Sequence, residues 1–281
     1  MHIFKIKEEI NDYIVNNKAS FSTVGFVPTM GALHAGHISL VENSIKNNEI
    51  TVVSIFVNPT QFDNPEDLLK YPSTLEEDLT FLDKSGVDVV FLPTTDEIYG
   101  GYVVAEKYDF GNLDKVMEGQ HRKGHFDGVA TIVKLLFDIV KPTNAYFGEK
   151  DFQQLQIIRN MVVQKNLPIN IIPCAIVRED DGLAMSSRNV RLTKEHRIES
   201  PFIYKTIKEA SSLSKIKTVS EVIDYVNESF ANNELLELEY FEIRDEEDLI
   251  EVVEFQTNKS YRAFVAVFAE NIRLIDNIRL F

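Results

Sequence analysis

The chain has 281 residues, 44% of them hydrophobic and 26% charged, which suits a globular protein with a sizeable core and excludes disordered and fibrous classes. Its 44 acidic residues outnumber 29 basic ones, and the formal charge of −15 repels a phosphate backbone, so a nucleic-acid partner is disfavoured. The single cysteine, Cys174, excludes an intrachain disulfide and a cysteine-rich metal site, reads as a small buried hydrophobe and fits a reducing compartment.

The first ten residues carry Lys5, Lys7, Glu8 and Glu9 and so lack the apolar centre of a signal peptide. Ile3, Ile6, Ile10 and Ile14 recur at helical spacing and predict an opening amphipathic helix. Residues 23–27 read as a buried strand ending at Pro28; Gly31 and Gly36 punctuate a turn, and 37–47 has the pattern of a helix. Short β-branched or aromatic runs follow at 50–57, 87–92, 144–147 and 169–177, mostly separated by helical segments. The apolar stretch 128–140 is broken by Lys134 and Asp138 and is too short to span a bilayer, so a cytoplasmic protein without membrane contact is expected. This alternation over 1–176 predicts an α/β fold, a Rossmann-like parallel sheet with helices on both faces. Beyond Arg178, two polar helices at 194–213 and 218–232 precede strands at 237–243, 263–268 and 271–275. That order predicts a smaller α+β C-terminal domain over 177–281.

Ligands in such sheets sit beyond the carboxyl ends of the strands, which directs attention to loops 28–36, 58–62, 148–154 and 178–188. No G-x-G-x-x-G follows the first strand and no G-x-x-x-x-G-K-[ST] occurs, which disfavours dinucleotide dehydrogenases and P-loop enzymes. Instead the strand runs into Met30-Gly31-Ala32-Leu33-His34-Ala35-Gly36-His37, an H-x-G-H at the mouth of a helix. His34 and His37 share one helical face, Gly36 puts no side chain between them, and the helix N-terminus adds free N–H groups, making an anion site. Two surface histidines near a turn are the bland alternative, and a metal pair lacks a third ligand nearby.

Asn58 and Gln61 flank a proline-fixed turn, where their amides suit a polyol or carboxylate or simply build the turn. In Gly148-Glu149-Lys150-Asp151, Lys150 could reach phosphates and Asp151 ribose hydroxyls, although an Asp at a helix start is also an ordinary cap. Behind Gly182, Met185-Ser186-Ser187-Arg188 aligns two hydroxyls and a guanidinium that could close over a triphosphate, or merely link domains. The densest basic patch, 120–126, reads as a flap or a solvated loop.

Together these segments resemble the pantothenate synthetases, the pantoate–β-alanine ligases of the HxGH nucleotidylyltransferase superfamily. The resemblance covers nearly the whole chain: V-P-T-M-G-A-L-H-A-G-H at 27–37, F-V-N-P-T-Q-F at 56–62 and G-H-F-D-G-V-A-T-I-V at 124–133. It continues in F-G-E-K-D-F-Q-Q-L at 147–155, D-G-L-A-M-S-S-R-N at 181–189 and R-L-I-D-N at 273–277. Ser73 and Lys123 depart from it, standing where arginine and proline are common.

The resemblance implies condensation of pantoate with β-alanine through a pantoyl-adenylate, with ATP as substrate, Mg²⁺ as its companion and a homodimer as the assembly. It would place ATP against 30–37, against Gly148, Glu149, Lys150 and Asp151, and against Val177, Met185, Ser186, Ser187 and Arg188. His37 would be the catalytic histidine, with His34, Lys150, Ser186, Ser187 and Arg188 as further donors to phosphate. Gln61 and Gln154 would hold pantoate, Asp151 the ribose, and the C-terminal domain would act as a lid. The metal ligands and the base for the amine stay unassigned, with Asp78 one candidate ligand.

Three rivals are weaker. A plain nucleotidylyltransferase would want basic residues for a phosphorylated acceptor, whereas Gln61 and Gln154 are neutral. An aminoacyl-tRNA synthetase conflicts with the net charge and leaves no room for a tRNA-reading domain. A non-catalytic ATP-binding module would need neither the two amides nor the Ser186 to Arg188 loop.

Overall fold

The structure, a computed structural model, describes residues 1–17, 22–62 and 65–281. Its first part runs β1 (His2–Phe4), α1 (Lys7–Asn17), β2 (Val24–Thr29), α2 (Ala35–Asn47), β3 (Ile50–Ile55), α3 (Pro65–Leu69), α4 (Leu75–Ser85), β4 (Val89–Phe91) and α5 (Thr95–Tyr99). Then come α6 (Met117–His121), α7 (His125–Val140), β5 (Asn144–Gly148), α8 (Phe152–Gln164) and β6 (Asn170–Cys174). The last part holds α9 (Lys194–Glu199), α10 (Pro201–Leu213), α11 (Val219–Ala231), β7 (Leu236–Asp245), β8 (Tyr261–Ala269) and β9 (Ile272–Arg279).

Among the described residues, six strands form a parallel sheet in the order β1-β4-β3-β2-β5-β6. Strands buried on both sides read as continuous apolar runs, and every residue of β3 is buried. Alternate side chains serve two cores: Phe26, Val52 and Phe91 pack with α1, α7 and α8, while Val27, Val53 and Val90 pack with α2 and α4. Cys174 lies in the second core as a buried hydrophobe. The order reverses between β2 and β5, and β5 pairs with β2 only at Gly25 and Phe26. The two strands therefore part beyond Phe26 and open a crevice at their carboxyl ends, where ligands bind in this architecture.

The second, antiparallel sheet has the order β7-β8-β9, and α10 and α11 cover it through Ile203, Ile207, Val222 and Val226. No helix among the described residues is long and apolar enough to cross a membrane.

Several elements differ from their sequence patterns for physical reasons. The opening isoleucines do not form one helix: Ile3 sits in β1, paired to Val90, and α1 starts only at Lys7. The free edge of β4 competes for the same residues, and strand pairing wins over helical spacing. Pro28 does not end β2 but lies within it opposite Ser54, tolerated because the β5 ladder has already stopped. The long helix expected at 194–213 breaks at Ser200, where Pro201 starts α10 at a position that needs no N–H donor.

Candidate active site

β2 delivers the H-x-G-H turn to the crevice. Gly31 takes φ +78°, and the N–H groups of Ala32 and Leu33 donate to the two carboxylate oxygens of Asp78 on α4, at 2.9 and 2.8 Å. Thr74 adds a third donor at 3.1 Å, and Asp78 is 2% exposed. Asp78, one candidate metal ligand, is thus a buried anchor for the turn, with both carboxylate oxygens engaged by these donors.

His34 caps α2. Its Nδ1 accepts from the Gly36 N–H at 3.1 Å, and the Nδ1 of His37 accepts from the His34 N–H at 3.3 Å. Each ring therefore carries its proton on Nε2, with the two centroids 4.1 Å apart. A Cβ on Gly36 would stand 2.9 Å from His34, so glycine is what allows this approach. The Gly36 N–H, expected to be free for an anion, is taken by His34. The imidazole Nε2–H groups remain as side-chain donors for a ligand.

Burial and the Lys150 ammonium lower the pKa of His34 to about 4 against an opposing Asp151, and burial, His34 and Lys150 lower that of His37 to about 3. Both rings are neutral at physiological pH, each offering one N–H. Below the ordinary histidine value of 6.5 the unfolded chain takes up these protons and the folded one does not, so stability should fall as pH drops from 6.5 towards 4. Thermal midpoints recorded across that window should fall less for His37→Gln than for the unsubstituted protein. Parallel curves would contradict the assignment.

The other walls converge on these rings. The 3-10 turn Glu149–Asp151 after β5 brings Lys150 and Asp151 to the cleft, with Nζ and Oδ1 3.7 Å apart and side chains 19% and 46% exposed. Gln154, one turn into α8, faces the cleft, while its neighbour Gln153 is buried and spent on Leu113, Val116 and Glu118. Gln61 enters from the 3-10 turn Pro59–Gln61. Asn58, read from sequence as its partner amide, is 1% exposed and committed to Gly128, Thr60 and Tyr99.

Met30, Gly148, Val177, Met185, Ser186, Ser187 and Arg188 also line the cleft. Gly31, Ala32, Leu33, Ala35 and Glu149 do not: the first three form the turn behind it, Ala35 points outward, and Glu149 lies 3.5 Å from Arg262. In the serine loop, Ser186 accepts from the Arg188 N–H and Ser187 donates to the Ala32 carbonyl at 3.0 Å. The Arg188 guanidinium pairs with Asp67 at 2.7 Å, as does Arg191 at 2.8 Å. Burial pushes Asp67 up, but the two guanidiniums bring it net below the usual carboxylate value.

Sequence reasoning passed over Tyr71, which lines the cleft with Arg188 5.9 Å above its ring, and Asp67. The basic patch 120–126 reads in the sequence as a flap or a solvated loop. In the fold that patch divides: Lys123 is exposed, whereas Arg122 meets Nε2 of the buried His125 at 3.1 Å, and His125 Nδ1 meets the Gln61 carbonyl at 2.8 Å.

A parallel sheet with two neutral imidazoles, an ammonium and a serine-arginine loop around its switch point, and no Walker loop, defines an α/β nucleotide-binding enzyme of the H-x-G-H type. A family profile described as Pantoate-beta-alanine ligase matches residues 2–279. The chain belongs to the pantoate–β-alanine ligase family. It is similar to the pantothenate synthetases of Flavobacterium psychrophilum, 51% identical with both chains fully covered, and Christiangramia forsetii, 49% identical over all of this chain and 99% of the relative. Among solved structures, the pantothenate synthetase of Thermus thermophilus superposes with TM-score 0.92 at 37% identity, each chain covered completely. The pantoate–β-alanine ligase of Francisella tularensis, solved with beta-gamma ATP and beta-alanine, superposes with TM-score 0.83 at 33% identity, covering all of this chain and 98% of that one.

Proposed function

We propose that this chain condenses (R)-pantoate with β-alanine to pantothenate, using ATP and releasing AMP and pyrophosphate through a pantoyl-adenylate. The observation that carries the residue roles is the convergence of His34, His37, Lys150 and the Ser186 to Arg188 loop with Gln61 and Gln154 on one cleft. The beta-gamma ATP and beta-alanine bound in the Francisella ligase support the choice of substrates.

In the first step a pantoate carboxylate oxygen bonds to the α-phosphorus and the bond to the β-phosphate breaks, releasing pyrophosphate. Anion meets anion, so donors must offset the repulsion and hold charge on the leaving group. His34 and His37 donate through Nε2–H and Lys150 supplies a cation. Ser186, Ser187 and Arg188 close over the phosphates, Arg188 exchanging Asp67 for phosphate oxygens. Gln61 and Gln154 orient pantoate by neutral amides, and Asp151 accepts from ribose hydroxyls. In the second step the neutral amine of β-alanine forms a bond to the acyl carbon and loses one proton to solvent, the bond from that carbon to the phosphate oxygen breaks, and AMP leaves.

Water would hydrolyse the mixed anhydride, so residues 177–281 serve as a lid over the catalytic part, 1–176. Among the described residues no group of three or more His, Cys, Asp and Glu side chains could hold a metal by itself; a Mg²⁺ brought in with ATP would neutralise charge on the phosphates. A homodimer and a cytoplasmic location complete the proposal, the former read by sedimentation.

The pantoate side depends on a close approach. A Cβ on Gly128 of α7 would stand 2.2 Å from the Thr60 carbonyl oxygen and 3.1 Å from the Gln61 nitrogen. Gly128→Ala should push the Gln61 turn off α7, destabilise the fold by about 1–3 kcal/mol and raise the KM for pantoate about tenfold or more. Steady-state kinetics and a thermal melt read both. An unchanged KM would show that the turn does not set the pantoate site.

The reaction itself is tested by incubating the chain with ATP and (R)-pantoate, with and without β-alanine. A stoichiometric burst of pyrophosphate is expected without β-alanine, and turnover to AMP with it. Failure to release AMP when β-alanine is present would defeat the proposal.

A further inference from the structure

We propose that Asn277 is a positioning residue for Lys150: its buried amide, carried on β9, sets the backbone that presents the Lys150 ammonium to the triphosphate. The inference rests on the ligase reading above. Asn277 is 1% exposed. Its Nδ2 donates to the carbonyls of Glu149 at 2.8 Å and Lys150 at 2.9 Å, a contact reaching from the C-terminal sheet to the loop after β5.

The direction of that amide is determined by its other neighbour. Arg262, 6% exposed, donates from its guanidinium to Oδ1 of Asn277 at 2.6 Å and is itself held by Glu246 at 2.8 Å and by the Phe152 ring at 4.1 Å. A guanidinium has no acceptor, so the Asn277 oxygen must face it and the NH₂ must face the two carbonyls. The preceding residue does similar work on the other ATP wall. Asp276 receives both guanidinium nitrogens of Arg178 at 2.6 and 2.9 Å, and Arg178 adjoins Val177. Two successive residues of one strand thus hold the two loops between which a nucleotide would lie. Glu149–Asp151 is a short 3-10 turn, and a shift of about 1 Å at a catalytic group can lower a rate a hundredfold.

The test is a double-mutant cycle read by single-turnover pyrophosphate release, with thermal melts to count folded enzyme. Asn277→Ala should lower the rate per folded molecule by roughly tenfold to a hundredfold, with the KM for pantoate held within about twofold. In a Lys150→Ala background the same substitution should cost less than about twofold, because Asn277 acts through the group already removed. Asn277→Asp keeps a partner for Arg262 but sets a carboxylate against two carbonyl oxygens; it should lose at least as much rate. Should Asn277→Ala fail to fold, the cycle is run with Asn277→Asp.

Equal fold-losses in both backgrounds, or a rate per folded molecule within twofold of the unsubstituted enzyme, would overturn the inference and leave Asn277 a packing residue. The unsubstituted enzyme in the same assay tests the ligase reading separately, since its silence would sink that reading and not the role of Asn277.

Discussion

Replacing His37 with alanine is expected to slow pyrophosphate release by about 10²–10³-fold, the usual loss on removing one donor from a site of developing charge. The ring is oriented by the His34 N–H on its Nδ1 and held neutral by burial, His34 and Lys150, so its Nε2–H is preset to donate before substrate arrives. His37→Gln, which keeps an N–H donor at similar reach, should recover part of the rate. His34 differs, because it also caps α2. Its alanine variant should lose stability as well, by about 0.5–2 kcal/mol. Rapid-quench measurement of the first turnover separates these effects, and a loss under tenfold for His37→Ala would remove that ring from the chemistry.

The second large effect is expected at Lys150. Its side chain is 19% exposed, in a site partly shielded from water, where a cation against a triphosphate is weakly screened. Lys150→Ala should cut kcat/KM for ATP by about 10²–10³-fold, and Lys150→Arg should not restore it, because a planar fork cannot replace a point charge on a flexible stem. The same substitution carries an independent signature. Lys150 lowers the pKa of both His34 and His37, so both should titrate at higher pH without it. A histidine titration followed by NMR would read that shift, and unmoved resonances would place Lys150 away from the rings.

Local chemistry was legible in the sequence. The H-x-G-H turn, the Glu149–Asp151 segment and the serine-arginine loop each follow a strand or a glycine, and strand-end placement is enough to bring them to one crevice. What stayed hidden depends on contacts between distant residues. Asp78 is an acidic side chain on an amphipathic helix until the fold sets it against the N–H groups of Ala32 and Leu33. Arg188 looked free to meet phosphate, yet it is paired with Asp67, far away in sequence. Asn58 and Gln61 look alike as amides and both border the cleft, and only the fold shows that Asn58 is buried and committed to its neighbours while Gln61 is more open. In β1, a helical period of isoleucines gave way to an unpaired strand edge, a competition that residue spacing does not record.

Transfer of label tests the adenylation chemistry most directly. With (R)-pantoate carrying ¹⁸O in its carboxylate, ATP and β-alanine, the AMP released should contain one labelled oxygen, since the bond from that oxygen to the acyl carbon breaks when the amine attacks. Unlabelled AMP, or label appearing in inorganic phosphate with ADP as the nucleotide product, would contradict attack of the carboxylate on the α-phosphorus.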